Sequence, residues 1–199
     1  MKSVAVVGNP KAASRTRDAA ERLAAALGLE CEVLEVAALG PGLLGWGDPD
    51  VTAAVDRVRA ADVVIAASPT YKGTYTGLLK VFLDQFPTAS GLAGQVALPL
   101  MLGAGPAHAL APETGLKPVL VELGATCPAQ GLYQLDSAYT TDGSLAGWVE
   151  RWGRTVLDAA RAARTARAAR TARAARAADT ADTADTADTA ATPKGGVNR

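Results

Sequence analysis

Apolar residues occur in two textures along this chain: short β-branched runs, and longer stretches with apolar residues three and four apart. The short runs are Met1–Gly8 (MKSVAVVG), residues 29–36 (LECEVLEV), Ala61–Ala67 (ADVVIAA), Gln95–Leu102 (QVALPLML) and Ala125–Tyr133. They predict five strands. The longer stretches predict the helices between them. One runs from Ser14 to Leu27 and is stopped by Gly28. A second covers residues 51–60, with Val51, Ala54, Val55 and Val58 inward. A third starts at Gly77 or Leu78 and places Leu78, Leu79, Phe82 and Phe86 on one face. A fourth covers Ala109–Gly124, and a fifth begins at Ser144 with Trp148 and Trp152 at helical spacing. Residues 37–50, Gly- and Pro-rich, read as a long loop, and Pro87–Gly94 and Leu135–Gly143 as shorter ones. Pro99 inside the fourth strand implies a bulge or a strand end. Pro112, Gly115 and Pro118 imply that the fourth helix is kinked or broken in two.

Strands and helices thus alternate, which is the pattern of a parallel sheet covered on both faces. Three of the strand-to-helix loops have ligand-type composition. The first, Gly8–Thr16 (GNPKAASRT), offers Asn9, Lys11, Ser14, Arg15 and Thr16 where a helix begins. Hydroxyls, cations and unpaired amides at a helix N-terminus suit a phosphate monoester. The same residues read equally as a capped helix, with Ser14 or Thr16 as N-cap and Asp18 and Glu21 near the positive end. The second, within Ser68–Asp84 (SPTYKGTYTGLLKVFLD), combines Pro, Gly, Tyr and small hydroxyl residues. Gly admits close approach of backbone to a planar ligand, and Tyr offers stacking surface with a polar tip. The third, Gly103–His108 (GAGPAH), is short and Gly-rich. Ligands of open α/β sheets bind outside the carboxyl ends of the strands. Loops of this kind after strands one, three and four therefore give a flavodoxin-like three-layer α/β sandwich, with a five-stranded parallel sheet in the order 2-1-3-4-5.

Other chemistries are disfavoured. The sequence has no GxxxxGK[ST] and no GxGxxG after the first strand, so neither a P-loop nor a dinucleotide Rossmann half is expected. His108 is the only His of 199 residues, which argues against zinc, and no Gly-x-Ser-x-Gly elbow supports a hydrolase triad. His108 is read as capping or lining its loop. The two cysteines, Cys31 and Cys127, read as small buried hydrophobes in a reducing compartment. Formal net charge is zero, so no overall basic field points to nucleic acid. Lys2 leads into a strand and not into a signal-peptide core, and no apolar run approaches the roughly 20 residues of a membrane span. A soluble, cytoplasmic protein is expected.

Three blocks, Gly8–Thr16, Ser68–Asp84 and Leu98–Leu120 (LPLMLGAGPAHALAPETGLKPVL), resemble the NAD(P)H-dependent FMN reductases. They are most similar to the flavin reductases of two-component alkanesulfonate monooxygenase systems. The resemblance covers roughly residues 2–135. It implies that Asn9, Lys11, Ser14, Arg15 and Thr16 bind the FMN phosphate. It implies that Pro69, Thr70, Tyr71, Lys72, Gly73 and Thr74 line the isoalloxazine edge and ribityl chain, and that Gly103, Ala104 and Gly105 support the pyrimidine side. NADPH or NADH would stack on the flavin and pass hydride from C4 to N5. Such chemistry needs positioning and no dedicated nucleophile or acid–base pair.

The resemblance also implies a homodimer or homotetramer and a flavin-dependent monooxygenase as partner. Some members carry an aromatic residue at a π-bulge in the fourth helix, where this chain has about Thr114. The sequence does not choose between NADPH and NADH; Lys72, Lys80 and Lys117 are the cations available to a 2′-phosphate. The alternatives are an FMN-containing quinone or azo-compound reductase, a flavodoxin-type electron carrier, and a binding protein without turnover. A carrier is usually acidic, whereas residues 1–154 hold 12 Lys/Arg against 15 Asp/Glu.

Residues 161–199 form a separate low-complexity tail after a reductase domain over residues 1–160. Arg recurs at every third position from Arg161 to Arg176. Each Arg lags the last by about 60° on a helix, so the six wind around it without making one basic face. An Ala-rich helix is plausible there. The Asp-Thr-Ala repeat over Asp179–Thr189 and the PKGG that follows are expected to be disordered. The tail reads as a repeat expansion, or as an electrostatic docking segment for a partner or polyanion.

Overall fold

The computed structural model describes the backbone of residues 1–189 and the side chains of residues 1–176. Five strands, β1 (Ser3–Val7), β2 (Cys31–Glu35), β3 (Val63–Pro69), β4 (Val96–Gly103) and β5 (Leu132–Leu135), form one sheet in the order β2-β1-β3-β4-β5. Every pairing is parallel. The helices are α1 (Arg15–Ala26), α2 (Pro49–Arg59), α3 (Gly77–Leu83), α4 (Lys117–Glu122) and α5 (Ser144–Thr189).

Alternation along the strands divides the core into two layers. Val4, Val6, Val64, Ala66, Ala97 and Met101 face the α2–α3–α4 side. Ala5, Val7, Ile65, Ala67, Leu98 and Leu100 face the side covered by α1 and the first turns of α5. Both faces are buried, which is why the strands read as continuous apolar runs. Trp148 closes one end of the second layer and donates its indole N–H to Gln130 O at 2.8 Å.

Register sets the shape of the sheet's upper edge. Val7 aligns with Ala67, and Ala67 with Leu100. β3 continues to Pro69 and β4 to Gly103, which pairs with Leu135. The strands therefore end at rising heights from β1 to β4, leaving a shelf above β1 flanked by the loops after β3 and β4.

Three sequence expectations need correction. Residues 37–50 are not simply a loop: Val36–Leu44 is a 3₁₀ segment broken at Gly40 (φ 58°, ψ −146°) ahead of Pro41. Val36 and Leu43 are buried and anchor it to the core. Second, Pro99 causes neither bulge nor strand end; β4 runs through it with Ala66 opposite. Residues two apart in a strand face the same neighbour. Ala97 donates to Thr126 O on the β5 side at 2.9 Å, so the missing N–H of Pro99 points that way too. There it meets the gap between the isolated Val96–Thr126 bridge and the ladder that begins at Leu100–Leu132. Third, β5 is Leu132–Leu135 and not Ala125–Tyr133, because Pro128 and Gly131 carry the chain away from the sheet after Thr126. The backbone of α5 is helical through Thr189. PKGG lies outside the described residues.

The chain divides into a compact unit, Met1–Arg164, and a second beginning at Thr165. In the second unit Arg170, Arg173 and Arg176 are exposed and Arg167 is half-buried. Among the described residues no helix is long and apolar enough to cross a membrane.

The broken fourth helix takes a specific form. Pro106–His108 makes one 3₁₀ turn, Pro112–Leu116 a π-helical turn, and α4 follows with Pro118 in its first turn, where the missing N–H costs nothing. Thr114 lies in the π turn, exposed, and donates its hydroxyl to Leu110 O at 3.0 Å. The turn is tied to the segment before β5. Glu113 accepts from Gly131 N (2.8 Å) and pairs with Lys117 (2.6 Å), which also donates to Ala129 O at 3.2 Å. Burial pushes the Glu113 carboxyl up, but the Gly131 N–H and the Lys117 ammonium outweigh it and hold the pKa below its ordinary value. A lowered carboxylate pKa adds stability above the unfolded-state value, and that stability is lost as pH falls through the folded one. Thermal unfolding of Glu113→Gln against the parent is therefore expected to show a deficit at neutral pH that shrinks under acid. A deficit that persists below the carboxylate range would mean the tie is not ionic.

Candidate functional site

The shelf is lined by three loops, each held by its own hydrogen bonds. After β1, Gly8 must be glycine: a Cβ there would lie 2.4 Å from Leu79 Cβ. Asn9 accepts from Lys11 N at 2.9 Å and donates to Thr16 Oγ1 at 3.0 Å, which coils the loop onto the buried start of α1. Ala13 is in the left-handed region (φ 49°), and its N–H is taken by Glu35 Oε1 at 2.9 Å. Ser14 is extended and caps α1, accepting from Arg17 N at 3.3 Å. One structure thus contains the capped helix and the residues read as an anion loop. Ser14 uses one lone pair on the cap, and the first-turn amides of Arg15 and Thr16 have no acceptor within the helix.

After β3, Tyr71 and Thr74 exchange backbone hydrogen bonds (Tyr71 N to Thr74 O, 2.8 Å; Thr74 N to Tyr71 O, 3.2 Å) around Lys72 (φ 53°) and Gly73 (φ 87°). This is a two-residue turn with both central φ values positive, the type I′ geometry. Gly73 suits it; a Lys at φ 53° costs about 1–2 kcal/mol. Below the turn, buried Ser68 accepts from Thr76 N at 3.0 Å. Thr76 caps α3 by accepting from Leu79 N (3.2 Å) and donates to Gly8 O at 2.6 Å, joining the first two loops.

After β4, Gly103 makes room for a side chain from β5. A Cβ on Gly103 would lie 2.0 Å from the Tyr133 hydroxyl. That hydroxyl donates to Gly105 O at 2.6 Å and fixes the loop. Thr70 Oγ1 lies beside it, near enough to influence the phenol, yet is buried without a hydrogen-bond partner of good geometry.

These loops enclose two neighbouring cavities. The first, about 450 Å³, is lined by Asn9, Lys11, Ser14, Arg15 and Thr16, by Pro69, Thr70 and Tyr71, and by Gly103 and Ala104. The second, about 710 Å³, is lined by Thr70, Lys72, Gly73, Ala104, Gly105 and the Pro106–His108 turn. Thr70 and Ala104 belong to both. Of the residues expected from sequence, thirteen of fourteen line one cavity or the other. Thr74 lines neither; its hydroxyl sits against Gly115. Both volumes fall in the range of small-molecule sites.

Three residues lining the first cavity were not expected, Ala13, Leu102 and Asp136, nor were Pro106 and Ala107 in the second. Asp136 follows β5 at the same edge of the sheet, and that position was its available signal. It closes the first cavity from the far side. Arg15 donates to Asp136 O at 2.9 Å, and its guanidinium is 3.5 Å from the carboxylate. His108, read from sequence as capping or lining its loop, lines the second cavity. Cys127 lies elsewhere; burial pushes its thiol up to about 11, so it is protonated at neutral pH.

FMN fits the first cavity on this structure's own terms. The donor set at one end is that of a phosphate monoester. At the other end the orphaned Thr70 hydroxyl, beside Gly103 and Ala104, suits a polar, flat group.

The family model for NADPH-dependent FMN reductase matches residues 1–140. The FMN reductase (NADPH) of Escherichia coli strain K12 is 34% identical over 143 residues, 69% of this chain and 74% of the relative. That of Pseudomonas aeruginosa strain PAO1 is 31% identical over 150 residues, 69% and 78% of the two chains. Among solved structures, an NADH:FMN oxidoreductase in its apo form is 33% identical with a TM-score of 0.68, covering 78% of this chain and 89% of that one. A flavodoxin of Streptococcus pneumoniae TIGR4, 17% identical with a TM-score of 0.52 over 79% of this chain and 97% of its own, shares the fold. With its five strands in flavodoxin-like order and the match spanning the sheet and all three loops, the chain belongs to the NADPH-dependent FMN reductase family.

Proposed function

We propose that the protein is an NAD(P)H-dependent FMN reductase that binds FMN in the 450 Å³ cavity and its dinucleotide reductant in the adjoining one. The observation that carries this reading is the convergence of all three loops on two connected cavities, the first cationic at one end. Lys11, Arg15, Ser14 and the first amides of α1 hold the phosphate. Thr70 and the Gly103–Ala104 backbone orient the ring edge. Bound FMN supplies a hydride acceptor at N5. No side chain need exchange a proton with carbon, so the chain's part is to position two ring systems and hold them in contact.

The same reading makes the protein a cytoplasmic source of reduced FMN for a separate monooxygenase, acting as a homodimer or homotetramer. Exposed Trp46 (78%), Leu110 (62%) and Val121 (53%) offer apolar surface to a second copy. Residues 161–199 are a tail outside the reductase domain. The test is NADPH oxidation by desalted protein with and without added FMN, together with its absorbance spectrum. Turnover that depends on FMN is expected. A protein that stays yellow and is fastest with quinone or azo acceptors would make it a quinone-type reductase. A yellow protein that NADPH cannot reduce would make it a carrier, and no flavin affinity would remove the reading altogether.

A further inference from the structure

The second cavity has an electrostatic character of its own. Its ionisable lining groups are Lys72 and His108, and its other lining residues are Thr70, three small Gly or Ala positions nearest the first cavity, and Pro106 and Ala107. No carboxylate lines it, whereas the first cavity carries Asp136. The two groups come from different loops and meet at one place: a Cβ built on Gly73 would lie 3.5 Å from the His108 ring, so the imidazole packs over the residue next to Lys72. Lys72 is held in a positive-φ position that ordinarily takes Asn, Asp or Gly. A costly conformation retained at a cavity mouth is a reason to look for function. The other two candidate lysines are committed elsewhere. Lys80 pairs with Asp84 and Lys117 with Glu113, and neither lines this cavity. Among the described residues Lys72 forms no ion pair.

We propose that Lys72 and His108 clamp a phosphate group of the nicotinamide dinucleotide, and that they set the affinity for the reductant and not for FMN. The inference rests on the FMN reductase reading. It moves Lys72 from the flavin to the second ligand. A phosphate dianion in a cavity without carboxylates accepts charge-assisted hydrogen bonds from the ammonium and an imidazole N–H, each stronger than a neutral pair.

The experiment compares Lys72→Gln, His108→Gln, the double variant and Lys72→Arg with the parent. KM is measured for NADPH and NADH, and the FMN dissociation constant by quenching of flavin fluorescence. Binding of adenosine 2′,5′-bisphosphate to FMN-loaded protein, by calorimetry, gives a readout without turnover. Lys72→Gln is expected to raise KM for NADPH roughly tenfold, with a larger rise in the double variant and partial rescue by Lys72→Arg. The FMN constant should move by much less. A loss confined to NADPH and the bisphosphate places the 2′-phosphate in the clamp; an equal loss for NADH places the pyrophosphate there. The proposal is overturned if KM for both dinucleotides stays within twofold, or if FMN affinity falls as much as NADPH affinity. A parent protein that neither binds FMN nor oxidises NADPH would refute the functional reading instead, whatever the variants do.

Discussion

Lys11→Ala combined with Arg15→Ala is expected to weaken FMN binding about a hundredfold while leaving riboflavin within about threefold of the parent. The two ligands differ by the phosphate alone, so the comparison isolates the end of the cavity where these side chains sit. A hydrogen bond to a charged group contributes about 1.5–3 kcal/mol. Two such bonds, discounted because the Arg15 side chain is 61% exposed, give the hundredfold figure. Asp136 supplies the converse. Its carboxylate lines the same space and pairs with Arg15, which keeps its bond to the Asp136 carbonyl, so Asp136→Asn should tighten FMN several-fold by removing repulsion. Titration of flavin fluorescence measures all of these. Equal losses for FMN and riboflavin would show that the loop serves the fold and not the phosphate.

Gly124→Ala is expected to be the most damaging single methyl in the chain for stability. Gly124 follows α4 at φ 91°, with its N–H on Val121 O (2.8 Å) and the Ala125 N–H on Leu120 O (3.1 Å), a Schellman motif. A Cβ there would lie 2.2 Å from Ala89 O, and backbone cannot swing aside as a side chain does. The left-handed conformation costs about 1–2 kcal/mol and overpacking about 1–3. Together these predict a loss of about 2–5 kcal/mol and a fall in Tm of roughly 4–20 °C. Gly143→Ala provides the control. Gly143 also has a positive φ (73°) but nothing within 4 Å, so only the conformational part should appear. If the two variants melt together, the Ala89 clash relaxes and the larger figure is wrong.

The inner strands β1, β3 and β4 were legible because parallel strands covered on both faces are written as unbroken apolar runs, and the loops because they carry residues that neither helix nor strand prefers. What could not be read depends on neighbours distant in sequence. Pro99 reads as a strand breaker until the gap opposite it is seen. The 3₁₀ segment is written in Gly and Pro, the residues of a loop, and only the buried Val36 and Leu43 mark it as packed structure. Pro112 and Gly115 announced a disturbed helix, but not that the disturbance is a π turn stapled by Glu113 and Lys117. In the site, the loops that line the cavities were legible while the partition between the cavities was hidden. Nothing in GNPKAASRT or YKGT says that Arg15 meets Asp136, or that Tyr71 and Lys72 line different cavities.

Thr76 carries a consequence beyond its own bonds. Its hydroxyl spans from the start of α3 to Gly8 O, and its N–H is fixed by Ser68, so the loops after β1 and β3 are pinned to one buried joint. The conformational entropy of bringing these loops together is spent when the chain folds, not when a ligand arrives. A ligand therefore meets a preorganised site at each encounter, with its affinity adjustable at the periphery without loosening the frame that aligns it.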